Sequence, residues 1–462
     1  MDLDVLTDAF FDGTRLHTCA DQPVTLRLRD GRIAAIDRGQ DPDHAGAERL
    51  DARGQLVLPG LVNAHVHIAR GGMFEPTEPI GVRQVIDNFE GALAAGVTTV
   101  GDMGCSAAVA RALRAHVAAH PNAGPQLVAS GPVVTAPRGY PLDWLPPLLV
   151  RLGVALSCAT PDEGARAAAR VASAGMDHVK LAIMHTSYAN RPLPAVSPAV
   201  ARALVDEAHR LGLRVLAHAH GVADYDVALG AGVDALMHSS FEPLDREMVA
   251  RIRDAGIPVC PTLWVFESAC LGAELRFDRD ERFASRVTAA IRRSWTRFAE
   301  AYAASGDVLP PGIAGGAGKE RAKEAIRVAA ANLVLLRDAG VPIAFGNDAN
   351  YGFSLVARPV DELSAMQRAG LSAEECLRAA TSEAAALLAR PDRGAIAVGK
   401  RADLVIVDRE AMTDVARVEG VRHVIAGGKR VRSAQSDRAR TGAAMVRGLA
   451  ATVVDGLLSR QA

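Results

Sequence analysis

Two histidines stand two residues apart at the end of an apolar run, Leu58-Pro-Gly-Leu-Val-Asn-Ala-His-Val-His67. Alternate residues of a strand face the same side, so His65 and His67 would present paired imidazoles to one ligand. Two hydrogen-bonded histidines with no metal would give the same spacing. Three further candidates close apolar runs downstream: His218 ends Leu213-Arg-Val-Leu-Ala-His, His238 ends Val233-Asp-Ala-Leu-Met-His, and Asp348 follows Val341-Pro-Ile-Ala-Phe-Gly-Asn. Chance would spread the 13 histidines over helices and loops as well as strand ends. Imidazoles with a carboxylate and no thiolate suit Zn²⁺, and Mn²⁺ or Co²⁺ would serve the same geometry.

Lys180 lies inside Asp177-His-Val-Lys-Leu-Ala-Ile-Met184, an apolar stretch. The chain has 52 Lys and Arg, of which only Lys180, Lys319, Lys323, Lys400 and Lys429 are Lys. A buried ammonium is costly unless paired. Lys180 is therefore either half of an internal salt bridge or an amine needed for itself. The second role is a carbamate formed with carbon dioxide, whose two oxygens bridge two metal ions; Arg could not form one.

These residues need a scaffold that gathers strand ends on one face. From about 56 to 394, short apolar runs alternate with Ala/Arg/Glu-rich helical stretches, the rhythm of βα units. Eight candidate strands, at 56–62, 97–101, 126–130, 178–183, 213–217, 233–237, 257–263 and 341–346, predict a (β/α)8 TIM barrel whose strand ends converge on one mouth. Alternating β texture at 23–29 and 31–36 returns at 402–407 and 421–426. The fold class expected is α/β, with a small β-sandwich built from both termini, 1–55 plus 395–435. About 268–325 reads as a helical insertion, with an amphipathic stretch at 286–304, placed to act as a lid or a contact in a homo-oligomer. Residues 436–462 read as a helical tail.

The chain has 462 residues, 49 % hydrophobic and 23 % charged, with a net charge of −1. Nothing in that balance favours nucleic acid or an anionic membrane as partner. Six scattered cysteines without a Cys-x-x-Cys pair argue against a disulfide framework or a cysteine zinc site. The acidic start, Met-Asp-Leu-Asp, is unlike a secretory signal, and no apolar run approaches the roughly 20 residues of a membrane helix. A cytoplasmic enzyme is expected. Gly315-Gly-Ala-Gly-Lys-Glu320 is a poor phosphate loop, since Ile313 stands where its first Gly belongs and Glu320 replaces Ser/Thr.

Taken together, Pro59-Gly-Leu-Val-Asn-Ala-His-Val-His, Val179-Lys180-Leu, Ala217-His218-Ala-His-Gly, Met237-His238-Ser and Phe345-Gly-Asn-Asp348 resemble the motifs of the amidohydrolase superfamily. The run Gly399-Lys-Arg-Ala-Asp-Leu-Val-Ile resembles the segment that completes its sandwich. The resemblance covers nearly the whole chain except 268–325 and the tail. It is nearest to the binuclear prolidase and imidazolonepropionase-related group. It implies a metal-dependent hydrolase of an amide-type bond in a small-molecule amide or peptide. His65, His67 and Asp348 would hold the more buried ion, His218 and His238 the other, and carbamylated Lys180 would bridge them. The attacking hydroxide would lie between the metals, and Asp348 would carry its proton to the leaving amine. In that group the first His of the pair is the ligand, which leaves His220 to touch substrate.

Two positions depart from the pattern, and both bear on the substrate: Asn347 stands where Thr is common, and Ser239-Ser240 follow His238 where Gly is common. Position alone offers His185, Tyr188, Asn190 and Arg191 after strand four, Trp264 and Phe266 after strand seven, and Tyr351 after Asp348 as substrate contacts. A guanidinium such as Arg191 could grip a carboxylate; each aromatic could equally be packing. A mononuclear deaminase or cyclic-amide hydrolase of the same superfamily is the alternative. Against the deaminase, Ala219-His220-Gly221 lacks the Glu such enzymes commonly carry there. A catalytically silent scaffold should have lost ligands, and this chain keeps the set.

Overall fold

A computed structural model describes residues 2–19, 22–39, 46–68, 82–120, 123–143, 145, 150, 153–187, 190–305, 319–349 and 351–431. The expected tail and residues 306–318 of the expected insertion lie outside these residues, as does Tyr188.

Parallel strands dominate the middle of the chain. One sheet places Leu61–Val66 beside Val97–Asp102 and that beside Gln126–Ala129. A second runs Ala155–Ser157, Val133–Thr135, His178–Ala182, Arg214–His218, Ala235–Met237 and Val259–Cys260, every pair parallel. Strands such as His178–Ala182 are buried at every residue, which explains why they read as unbroken apolar runs. Helices Val82–Ala94, Ala107–Ala119, Pro161–Ser173, Pro198–Arg210, Val222–Ala231 and Arg246–Ala255 connect them. Several start on side-chain caps: Ser106, Thr160, Ser197 and Asp245 each accept a first-turn N–H.

Hydrogen bonds link the two sheets at both ends. On one side Asp177 N–H donates to Ala129 O at 2.9 Å. On the other, residues 341–349 run between Val259–Cys260 and Leu61–Val66. Val259 N–H donates to Pro342 O, Ala64 N–H to Phe345 O and Asp348 N–H to His65 O, each at 2.9 Å.

Four expectations need correcting. The 341–346 run forms only isolated bridges, Val259 with Ile343 and Val66 with Ala349, because Pro342 has no N–H to give and Asp348 turns at φ 47°. The 56–62 run is two strands broken at Gly60: Gln55–Pro59 pairs antiparallel with Leu404–Asp408, and only Leu61–Val66 joins the parallel sheet. A Cβ at Gly60 would lie 2.2 Å from Thr98 Oγ1, so the break needs glycine. The 257–263 strand shrinks to Val259–Cys260, flanked by Pro258 and Pro261, and a helix, Leu263–Glu274, begins where it was to end. Strands Val133–Thr135 and Ala155–Ser157 were not anticipated.

Two more sheets come from the ends of the chain. Arg32–Arg38, Val24–Arg29, Leu3–Thr7 and Glu48–Asp51 form one. The other orders Lys429–Arg430, His423–Ala426, Leu404–Asp408, Gln55–Pro59, Ala9–Phe11 and Leu16–Thr18. Leu3, Val5, Leu26 and Ile33 of the first share an apolar cluster with Phe10, Val57, Leu404 and Ile406 of the second. In the expected insertion, helix Ala289–Ser305 buries Trp295 against Phe353, ring centres 4.8 Å apart. Among the described residues no helix is long and apolar enough to cross a membrane.

Candidate metal centre

The ends of the parallel strands bring the predicted donors together. His65 and His67 sit on and just beyond Leu61–Val66, Lys180 in the middle of its strand, His218 at the end of Arg214–His218 and His238 just past Ala235–Met237. All five, with Asp348, line one cavity, alongside Tyr140 and Tyr351. Asp348 Oδ1 lies 3.3 Å from His65 Nε2 and 3.1 Å from His67 Nε2, and its Oδ2 lies 4.0 Å from His238 Nδ1. Donor atoms of His65, His238 and Asp348 fall within 4.8 Å of one another, and so do those of His218, His220 and His238.

Several of these groups are buried at a cost that a cation would relieve. The Nζ of Lys180, Nε2 of His218 and Nε2 of His238 are buried with no hydrogen-bond partner among the described residues. An unsatisfied buried polar atom costs about 1–3 kcal/mol. Burial, reinforced by neighbouring positive charge, holds the imidazoles of His65, His218 and His238 well below the usual histidine range, as neutral ligands require. Burial also pushes the Lys180 amine down to about 7, with Asp348 opposing the shift. Among the described residues no salt-bridge partner touches Lys180 Nζ, so the ion-pair reading of this residue finds no support there. The donor set therefore fits divalent cations.

Backbone and side chains hold the donors differently. Asn63 Nδ2 donates to Asn347 Oδ1 at 2.7 Å, and Asn347 Nδ2 donates to Leu355 O at 3.0 Å, which fixes the turn carrying Asp348. A Cβ on Gly346 would meet Cys260 Sγ at 2.6 Å and His65 Cβ at 2.7 Å. His238, at φ 85°, has its Nδ1 2.7 Å from Thr262 Oγ1 and its carbonyl 2.8 Å from the Tyr225 hydroxyl, which donates to it.

His220 does not stand apart from the ligands. Its ring stacks between His238 and Phe241, centres 4.4 and 4.5 Å away, and meets His218 edge-on at 4.6 Å. Phe266 lies edge-on to it at 5.3 Å. Tyr351 meets His67 edge-on at 5.0 Å. The half-exposed His185 hydrogen-bonds Asp224 at 2.7 Å, and exposed Arg191 lies 3.5 Å from Asp143, so both are engaged outside the cavity wall. Asn190 turns at φ 61°. Trp264 is a correction: it packs in the core against Phe277 on helix Leu263–Glu274 and does not line the cavity.

Sequence reasoning missed Tyr140, which stacks on His218 with centres 4.4 Å and planes 18° apart. An aromatic in the loop after the 126–130 run was the available signal. It also missed Thr262 and Glu362, whose spacing from His238 carries no motif.

Comparison with known proteins agrees with this geometry. An uncharacterized protein of Mycobacterium tuberculosis is 29 % identical over 374 residues, 80 % of this chain and 82 % of that one. The imidazolonepropionase of Stenotrophomonas maltophilia is 26 % identical over 435 residues, covering 84 % and 87 %. A crystal structure of a Xaa-Pro dipeptidase with bound methionine superposes with a TM-score of 0.72 at 22 % identity, covering 93 % of this chain and 99 % of that one. That likeness shows an α/β fold of the TIM-barrel type. The model of the amidohydrolase family matches residues 56–431, the span that carries every donor of the cavity, and the chain belongs to that family.

Proposed function

We propose that the protein is a hydrolase of amide-type C–N bonds that works with two divalent ions, Zn²⁺ by donor chemistry. The observation that carries this is Lys180: an amine 3 % exposed, without a hydrogen-bond partner among the described residues, on a cavity wall shared with four histidines and an aspartate. A neutral amine adds to carbon dioxide, forming an N–C bond and releasing one proton, to leave a carbamate on Lys180. Its oxygens would supply the anionic bridge that the cluster otherwise lacks. His65, His67 and Asp348 would hold one ion, His218 and His238 the other.

When bound, the ions supply an acidified water and polarise the scissile carbonyl. The proton work falls to Asp348, which takes a proton from the attacking water and returns it to the leaving nitrogen. His220, whose ring stacks between His238 and Phe241, is read as a substrate contact through the family resemblance. The imidazolonepropionase and Xaa-Pro dipeptidase relatives support a C–N bond as target. We read residues 56–394 as the catalytic (β/α)8 barrel, supported by the hydrogen bonds that link its two sheets at both ends. Residues 1–55 and 395–435 are read as a β-sandwich, supported by the shared apolar cluster.

The test is metal content per chain together with a screen of Xaa-Pro and other dipeptides, N-acyl amino acids, aryl amides and carbamates in added Zn²⁺ or Mn²⁺. Carbon NMR after loading with ¹³C-bicarbonate should show one carbamate, lost in Lys180→Met. A protein unable to take up metal, or inert to every class, would end this reading.

A further inference from the structure

Thr262 occupies the N-cap position of helix Leu263–Glu274, a place where a threonine hydroxyl ordinarily accepts an N–H from the first turn. Here it accepts none. Its backbone is left-handed, φ 50° and ψ 48°, a rare and strained conformation for a β-branched residue. The hydroxyl instead lies 2.7 Å from His238 Nδ1. Something else must satisfy the start of the helix, and Glu362 does. It reaches across from helix Pro359–Ala369, far along the chain, with Oε1 accepting Leu263 N–H at 2.9 Å and Oε2 accepting Trp264 N–H at 2.6 Å. Glu362 is fully buried.

We propose that Glu362 is a positioning residue for His238, acting through Thr262. By taking over the cap, the carboxylate frees the threonine hydroxyl and pins its strained backbone where the hydroxyl meets Nδ1. With Nδ1–H donating to Thr262, the lone pair of His238 is fixed on Nε2, the buried atom without a hydrogen-bond partner. Nothing in the sequence links positions 238, 262 and 362; the helix start joins them in space. The inference rests on the binuclear reading, in which His238 holds the second ion.

The experiment is calorimetric titration of the metal-free protein with Zn²⁺, resolving both sites, beside a thermal melt of each metal-free variant. Thr262→Val, close in shape but without the hydroxyl, should weaken the second ion about 10–100-fold while leaving the His65/His67 ion unchanged. Thr262→Ser should restore most of that affinity. Glu362→Gln should reproduce the loss, and the double variant should be no worse than Thr262→Val alone, because both act through one imidazole. Additive losses in the double variant would overturn the relay. So would wild-type affinity for the second ion in Thr262→Val, a measurement that stands if Glu362→Gln does not fold. A wild-type protein that binds fewer than two ions would instead overturn the binuclear reading beneath it.

Discussion

The two sides of the cavity are built by different means. His65, His67 and Asp348 are held by strand pairing, by the bond from Asp348 N–H to His65 O, and by the side-chain bond from Asn63 to Asn347 that braces the turn. His218, His220 and His238 also have main-chain bonds, His238 N–H to Cys260 O at 2.7 Å among them, but their imidazoles meet more side chains: Thr262 on one, Tyr140 stacked on another, Phe241 and Phe266 around the third. The ring and hydroxyl contacts of the second side can be altered one at a time.

The largest expected effect tests chemistry on the side that carries His65, His67 and Asp348. Asp348→Asn should lower kcat by about 10²–10⁴-fold, the usual worth of a positioned acid–base group, with most of the metal retained. Steady-state rates and metal analysis on the same preparation check it, and near-normal turnover would remove Asp348 as the proton carrier.

Next comes Lys180, which stands between the two sides. Lys180→Met should lose the carbamate signal and one ion per chain, with turnover falling accordingly. The metal-free, uncarbamylated protein also carries a stability signature. Folding lowers the amine from its ordinary 10.5 to about 7, so between those values the unfolded chain binds more protons than the folded one. Stability should therefore rise with pH across that window, with the burial penalty full below about 7. Thermal melts should show the rise in wild type and a flatter profile in Lys180→Met, which should also be the more stable protein near pH 7. Equal slopes would show that the amine is not buried uncharged.

Two smaller effects sharpen the contrast. Gly346→Ala forces a methyl against Cys260 and His65, an overpacking worth about 1–3 kcal/mol of stability. Its metal defect should fall on the His65/His67 ion; a defect confined to the other ion would break the division drawn above. Tyr140→Ala removes one ring pair, worth about 0.5–1.5 kcal/mol, and should weaken only the His218 side, roughly 2–10-fold by metal titration.

The same division explains what the sequence reveals. His65 and His67 are legible because strand periodicity is a two-residue rule, and His218 and His238 because each closes an apolar run. Most of the parallel strands are legible for the same reason, being buried apolar runs, whereas Val133–Thr135 and Ala155–Ser157, three residues each, are too short to read. Residues 341–346 read as an apolar run like the other strands, yet they are held by isolated bridges and single hydrogen bonds instead of a ladder. Glu362 and Tyr140 act across distances that only the folded chain closes. Trp264 misleads because a helix starts at Leu263, and that start depends on Glu362, about a hundred positions away. The 56–62 run misleads because one apolar segment serves two sheets, divided by a single glycine.

That glycine has a consequence for assembly. Gln55–Pro59, just before the strand that carries His65 and His67, finds its antiparallel partner in Leu404–Asp408, and Gly60 N–H donates to Asp403 O at 2.7 Å. During synthesis this partner leaves the ribosome hundreds of residues after the histidines do. Closing so long a loop is slow and comes late. The strand that carries His65 and His67 is thus braced by one of the last strands to be made, and until then the two histidines sit on an unbraced segment.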